Sequence, residues 1–120
     1  MAKILKIPEF KDDRGNLFAI EKILGKDFKR VYFIKNGKGI RGGHKHKKNR
    51  QVLICLEGEC TISVINSSRN KKEFLLDVPT KCLILEPSDW HEMYNFSKDA
   101  ILLVIASEYY DVEDYIDSYD

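Results

Sequence analysis

Apolar positions along the chain recur in short runs of about four to eight residues broken by turn residues, the pattern of strands rather than of helical stripes. The runs predict strands at Ile4 to Ile7, Leu17 to Glu21, Arg30 to Ile34, Gly42 to His46, Gln51 to Leu56 and Cys60 to Ile65. Further runs lie at Glu73 to Leu76, Cys82 to Leu85, Met93 to Phe96 and Ile101 to Ala106. Turn signals fall between them at Asp12-Asp13-Arg14-Gly15, Asn36-Gly37, Glu57-Gly58, Asn66 to Asn70, Pro79 and Pro87-Ser88-Asp89. The runs ending at Glu57 and starting at Cys60 are expected to join as a tight hairpin through Glu57-Gly58-Glu59. Near the end, Val112, Tyr115, Ile116 and Tyr119 are spaced at 3, 4 and 7 residues, which predicts a short amphipathic helical segment. About ten strands with one short helical segment make an all-β sandwich or barrel. No repeat, linker or low-complexity stretch divides residues 1–120, which read as a single domain.

Composition narrows the classes of function. A chain of 120 residues that is 43% hydrophobic can enclose one core. Twenty Lys plus Arg against 19 Asp plus Glu leave a net charge of +1, so no nucleic-acid footprint and no acidic tail is indicated. The one local basic cluster is Lys45, Lys47, Lys48 and Arg50, which suits either a solvated strand edge or counter-charge for an anionic substrate. Cys55, Cys60 and Cys82 are odd in number and lack CxxC spacing, as expected of free thiols in a reducing cytoplasm. The longest apolar stretch, Ala100 to Ala106, is too short to span a bilayer, so no membrane contact is expected.

The chemistry concentrates in Arg41-Gly42-Gly43-His44-Lys45-His46. Side chains alternate along a strand, so His44 and His46 share one face and Lys45 takes the other. Two imidazoles that titrate near neutrality can then move protons in the same cavity. His44 and His46, followed by Gln51 and Gly58, resemble the first motif of the cupins, and Pro87, His91 and Asn95 resemble the second. A metal-dependent cupin would place its ion among His44, His46, position 51 and His91. Gln51 stands where such a cupin has a carboxylate, and a neutral amide cannot supply the anionic oxygen.

A closer resemblance spans Asp13 to Tyr119. The runs are Asp13-Arg14-Gly15, Lys29-Arg30-Val31-Tyr32, the Arg41 to Lys47 segment, Gln51 to Gly58, Trp90 to Phe96, Ala106 to Asp111 and Asp114-Tyr115-Ile116. In these the chain is similar to the dTDP-4-keto-6-deoxy-glucose 3,4-ketoisomerases, small cupins of sugar-nucleotide metabolism. The resemblance implies a cupin-type β-barrel or jelly roll that needs no metal and no cofactor. It also implies a dTDP-linked 4-keto-6-deoxy sugar as substrate, a role in deoxy sugar and surface polysaccharide synthesis, and a homodimer with exchanged N-terminal strands.

Carried over residue by residue, the family's catalytic groups fall on Tyr32, Arg41, His44 and His46. His44 is expected to take the C3 proton and return it to C4, with His46 moving a proton between the oxygens, and the reverse assignment stays open. Arg41 suits a developing oxyanion or the diphosphate, and Tyr32 the hexose. Substrate contacts are expected from Arg14, Arg30, Gln51, Trp90, His91 and Asn95. Lys45, His91 and Asp117 depart from the family pattern. The competing readings are a sugar-nucleotide 3,5-epimerase-like cupin, a metal-dependent cupin and a non-catalytic sugar-nucleotide-binding module.

Overall fold

A computed structural model describes residues 2–21, 23 and 27–118. The strands are β1 (Lys3–Lys6), β2 (Glu9–Asp12), β3 (Gly15–Phe18), β4 (Arg30–Lys35), β5 (Arg41–His46) and β6 (Gln51–Glu57). They continue as β7 (Cys60–Ile65), β8 (Lys71–Leu76), β9 (Lys81–Leu85), β10 (Trp90–Tyr94) and β11 (Ile101–Ala106), and close with β12 (Tyr115–Ile116). Two antiparallel five-stranded sheets face each other, in the orders β1-β9-β6-β11-β4 and β12-β5-β10-β7-β8. Strands β2 and β3 form a separate hairpin.

Alternation explains which faces meet. Leu53 and Cys55 on β6, Leu83 and Leu85 on β9, and Leu102 and Val104 on β11 point inward from the first sheet. They pack against Cys60, Ile62, Val64, Phe74, Leu76 and Met93 of the second. The first sheet is apolar on its outer face too, where Val52, Ile54, Cys82, Ile84 and Ile105 lie under Phe18, Ile20 and Ile23. Burial on both faces explains the unbroken apolar runs of β6 and β9. All three cysteines are buried and free.

The all-β reading holds, with three changes. Strands β6 and β7 do not pair, since β6 lies between β9 and β11 and β7 between β8 and β10. Glu57-Gly58-Glu59 is therefore a corner that carries the chain between sheets and not a hairpin. Strand β2 is not predicted by the sequence pattern, because its residues are exposed on both faces and show no burial alternation. The C-terminal helical segment is one 3-10 turn, Val112–Asp114, after which the chain extends into β12. Tyr115 and Ile116 are drawn into the sheet by pairing with His46 and Lys45, which overrides the helical spacing. Tyr119 lies outside the described residues.

Candidate active site

The candidate site gathers where β6 and β10 begin and β5 ends. Strand β10 runs beside β5 with His91 opposite His44 and Glu92 opposite Gly42, so the register slips by one residue at Gly43. This is a β-bulge, which re-aims neighbouring side chains. It depends on glycine: Gly42 has φ 88°, and a Cβ there would stand 2.9 Å from the His91 carbonyl oxygen. Across the other edge of β5, Tyr115 stands opposite His46. Three neighbouring strands thus bring three histidines and a tyrosine together.

His44 is edge-on to His46 and to His91, with ring centroids 5.1 Å apart in each pair. His46 and His91 are stacked at 6.2 Å. The Tyr115 ring lies 4.6 Å from His44 and 4.7 Å from His46. His46 is buried, and its Nδ1 lies 3.0 Å from Asp114 Oδ2. The same carboxylate accepts from the Lys48 backbone N–H at 2.8 Å and the Asn49 N–H at 3.3 Å. A carboxylate taking those bonds is an acceptor, so Nδ1 of His46 carries the hydrogen and Nε2 holds the lone pair. His91 follows the same logic, with Nδ1 3.1 Å from the Asp89 carbonyl, which can only accept. Nε2 of His46 and Nε2 of His91 are buried with no partner among the described residues.

Burial disfavours the charged form of each ring. It lowers His44, opposed by a hydrogen bond to the Gly42 backbone and by the charge of Asp117. It lowers His46 as well, helped by repulsion from His44 and opposed by Asp114. His91, fully buried, is pushed down to about 3. All three shifts favour the neutral imidazole.

The facing sheet supplies further groups. Gln51 Nε2 donates to the Tyr32 hydroxyl at 3.3 Å, and Gln51 Oε1 is buried without a partner among the described residues. Burial raises the Tyr32 phenol, with the Arg30 and Arg41 charges opposing it. The Arg30 guanidinium sits 4.3 Å over the Tyr32 ring and 5.4 Å from that of Tyr110. Back on the histidine side, Trp90 at the start of β10 donates its indole N–H to the Asp117 carbonyl at 2.8 Å. Among the described residues, no group of three or more His, Cys, Asp or Glu is arranged to hold a metal ion.

Of the residues singled out in the sequence, His44, His46 and His91 share one cluster. Gln51, Tyr32 and Arg30 form a linked group on the facing sheet, and Arg41, at the start of β5, is near enough for its charge to act on Tyr32. Arg14 is elsewhere, at the exposed turn of the β2–β3 hairpin and paired with Asp12 at 2.6 Å. Asn95 is also apart, exposed past the far end of β10 with φ 55°. Asp114 and Tyr115 are site residues that sequence reasoning misses. Their run carries part of the family resemblance, but the helical reading of the segment gives no reason to set them beside β5.

The family model described as FdtA: WxcM-like, C-terminal, matches residues 1–120. The chain is 43% identical over 122 residues to the TDP-4-oxo-6-deoxy-alpha-D-glucose-3,4-oxoisomerase of Aneurinibacillus thermoaerophilus, covering 98% of this chain and 87% of that protein. A variant of the 3,4-ketoisomerase QdtA from Thermoanaerobacterium thermosaccharolyticum, solved with TDP-4-keto-6-deoxyglucose, is similar at TM-score 0.92 and 40% identity. That match covers 98% of this chain and 88% of the other. The dTDP-6-deoxy-D-glucose-3,5-epimerase RmlC of Legionella pneumophila, at TM-score 0.80 and 20% identity over 95% of this chain and 70% of that one, shares the fold alone.

Proposed function

The chain belongs to the FdtA family of sugar-nucleotide 3,4-ketoisomerases, and from that premise we infer that it converts dTDP-4-keto-6-deoxy-D-glucose to the 3-keto sugar without a cofactor. The reaction is an internal redox exchange. A base removes the proton on C3, electrons flow to the C4 carbonyl, and an enediol(ate) forms across C3 and C4. Return of a proton to C4, with transfer of the hydroxyl proton from O3 to O4, leaves the ketone at C3.

The observation that carries the site assignment is the His46 ring, hydrogen-bonded to Asp114 through Nδ1 while its Nε2 has no partner among the described residues. It favours His46 as the carbon base, the reverse of the expectation from sequence, and leaves the oxygen-to-oxygen transfer to His44. Tyr32 and Arg41 stabilise negative charge on the oxygens, and Arg30 offers its donors to the diphosphate. Trp90, His91 and Gln51 line the sugar's place.

Two further parts of the reading concern setting. The reaction belongs to the cytoplasm, where nucleotide-linked sugars are made, and among the described residues no helix is long and apolar enough to cross a membrane. The active form is a homodimer. Val31 and Phe33 are exposed on edge strand β4, and β1 pairs along the rim of the first sheet, where a second copy's β1 can take its place.

The test is turnover in deuterated water followed by NMR of the product. His46→Asn should abolish both turnover and exchange at C3, whereas His44→Asn should slow turnover by about 10² to 10⁴ and keep C3 exchange. The opposite pattern returns the carbon base to His44. Inversion at C5 would instead make the chain an epimerase, and an unaltered sugar a binding module.

A further inference from the structure

We propose that Asp114 is a positioning residue of this reaction, delivered to His46 by docking of the C-terminal segment along β5. The proposal rests on the reading of His46 as carbon base and deepens it.

Asp114 is a charged residue only 8% exposed. Burial of a carboxylate is costly unless hydrogen bonds replace its water. Three donors do so, the His46 ring and the Lys48 and Asn49 backbone amides, and all three lie in or just after β5. The segment is fastened around this point. Asp114 N–H donates to the Asp111 carbonyl at 3.0 Å, and the Lys47 N–H donates to the Asp114 carbonyl at 3.0 Å. Tyr115 and Ile116 pair with His46 and Lys45, and Trp90 holds the Asp117 carbonyl. One short stretch therefore brings both the carboxylate behind His46 and the Tyr115 ring against its face.

Two effects follow for the base. A neutral imidazole exists as two tautomers, and only the one with hydrogen on Nδ1 leaves Nε2 able to accept a proton. The carboxylate selects that tautomer and fixes the ring's rotation. It also stabilises the imidazolium that forms once the C3 proton has moved, against the neighbours that face His46: His44 on β5, His91 on β10 and Tyr115 on β12. Asp114→Asn separates these roles from simple packing. The Lys48 amide, at 2.8 Å from Oδ1, is a closer donor than the Asn49 amide at 3.3 Å from Oδ2, so the new side chain keeps its oxygen on Lys48 and turns its NH₂ toward His46. An NH₂ donor on Nδ1 forces the hydrogen onto Nε2, the wrong tautomer for a base, as in the serine-protease triad.

The experiment is ¹⁵N NMR of the histidine rings in the full chain, alongside kinetics with the TDP-linked 4-keto sugar. In the wild type, His46 should show a protonated Nδ1 and an unprotonated Nε2. Asp114→Asn should invert that pattern and lower kcat by about 10²-fold, the cost of a misplaced reacting group, with KM and TDP affinity nearly unchanged. Asp114→Glu, which keeps the carboxylate, should restore the wild-type tautomer and part of kcat. An unchanged tautomer overturns the proposal, as does a joint loss of kcat, TDP affinity and thermal stability in both variants. A wild-type protein without ketoisomerase turnover refutes the functional reading instead, and the tautomer readout does not depend on it.

Discussion

Replacing Gly42 with alanine tests whether the bulge in β5 positions the histidines. Two costs are separable. Alanine at φ 88° is strained by about 1–2 kcal/mol, the ordinary penalty of left-handed backbone. Its Cβ would also sit 2.9 Å from the His91 carbonyl oxygen, a backbone atom that cannot rotate away. Pushing the strands apart adds about 1–3 kcal/mol, the range for overpacking. Gly39 is the control, with φ 65° and nothing within 4 Å of the methyl group that alanine would add, so Gly39→Ala bears the strain alone. For a chain of 120 residues, 1 kcal/mol corresponds to roughly 4 °C in Tm. Gly39→Ala should therefore melt about 4–8 °C below wild type and Gly42→Ala about 8–20 °C below, followed by circular dichroism. Gly42→Ala should also lose roughly 10²-fold in kcat, because the displaced carbonyl belongs to His91, the cross-strand partner of His44. Gly39→Ala should keep wild-type kcat. Equal melting points for the two variants, with kcat intact in Gly42→Ala, would refute the reasoning.

Acid stability should report His91: its folded pKa of about 3 lies below the ordinary 6.5, so only the unfolded chain takes up the proton between those values. Stability then falls as pH drops below 6.5, by up to about 1.4 kcal/mol per pH unit, and urea melts of His91→Gln should show a flatter profile. Because Gln51 offers no anionic oxygen, dialysis against a chelator should leave turnover unchanged, and activity that returns only with added metal ion would overturn this. Light scattering should give twice the 14.0 kDa chain mass, and a fully active monomer would count against the dimer.

The strands around the core are legible in the sequence because buried β-branched and leucine runs such as Gln51 to Leu56 and Ile101 to Ala106 have few other places to go. Pairing is not legible. Glu57-Gly58-Glu59 has hairpin chemistry, yet the strands it joins enter different sheets and meet across the core instead, where Leu53 and Cys55 join Cys60 and Ile62. The side-by-side placement of His44 and His46 follows from strand alternation alone. His91 joins them in the sequence reading only through its resemblance to the second cupin motif, because its contact with His44 depends on a bulge whose register is set by two distant strands. Asp114 is hidden for another reason: a residue within a spacing that suits a helix is recruited by tertiary pairing into a strap along β5.

The order of strands within the two sheets also bears on how quickly the protein can fold. In the facing sheets only β7 and β8 are neighbours both in sequence and in space, and every other pairing joins segments far apart along the chain. Closing such loops costs entropy before any contact is made, which places the fold among slow β topologies that need roughly milliseconds to seconds. The β7–β8 hairpin has the lowest closure cost among these pairings. Strands β5, β10 and β12 come from three remote stretches, so the histidine cluster carries a high closure cost, and a mutation confined to it should speed unfolding more than it slows folding.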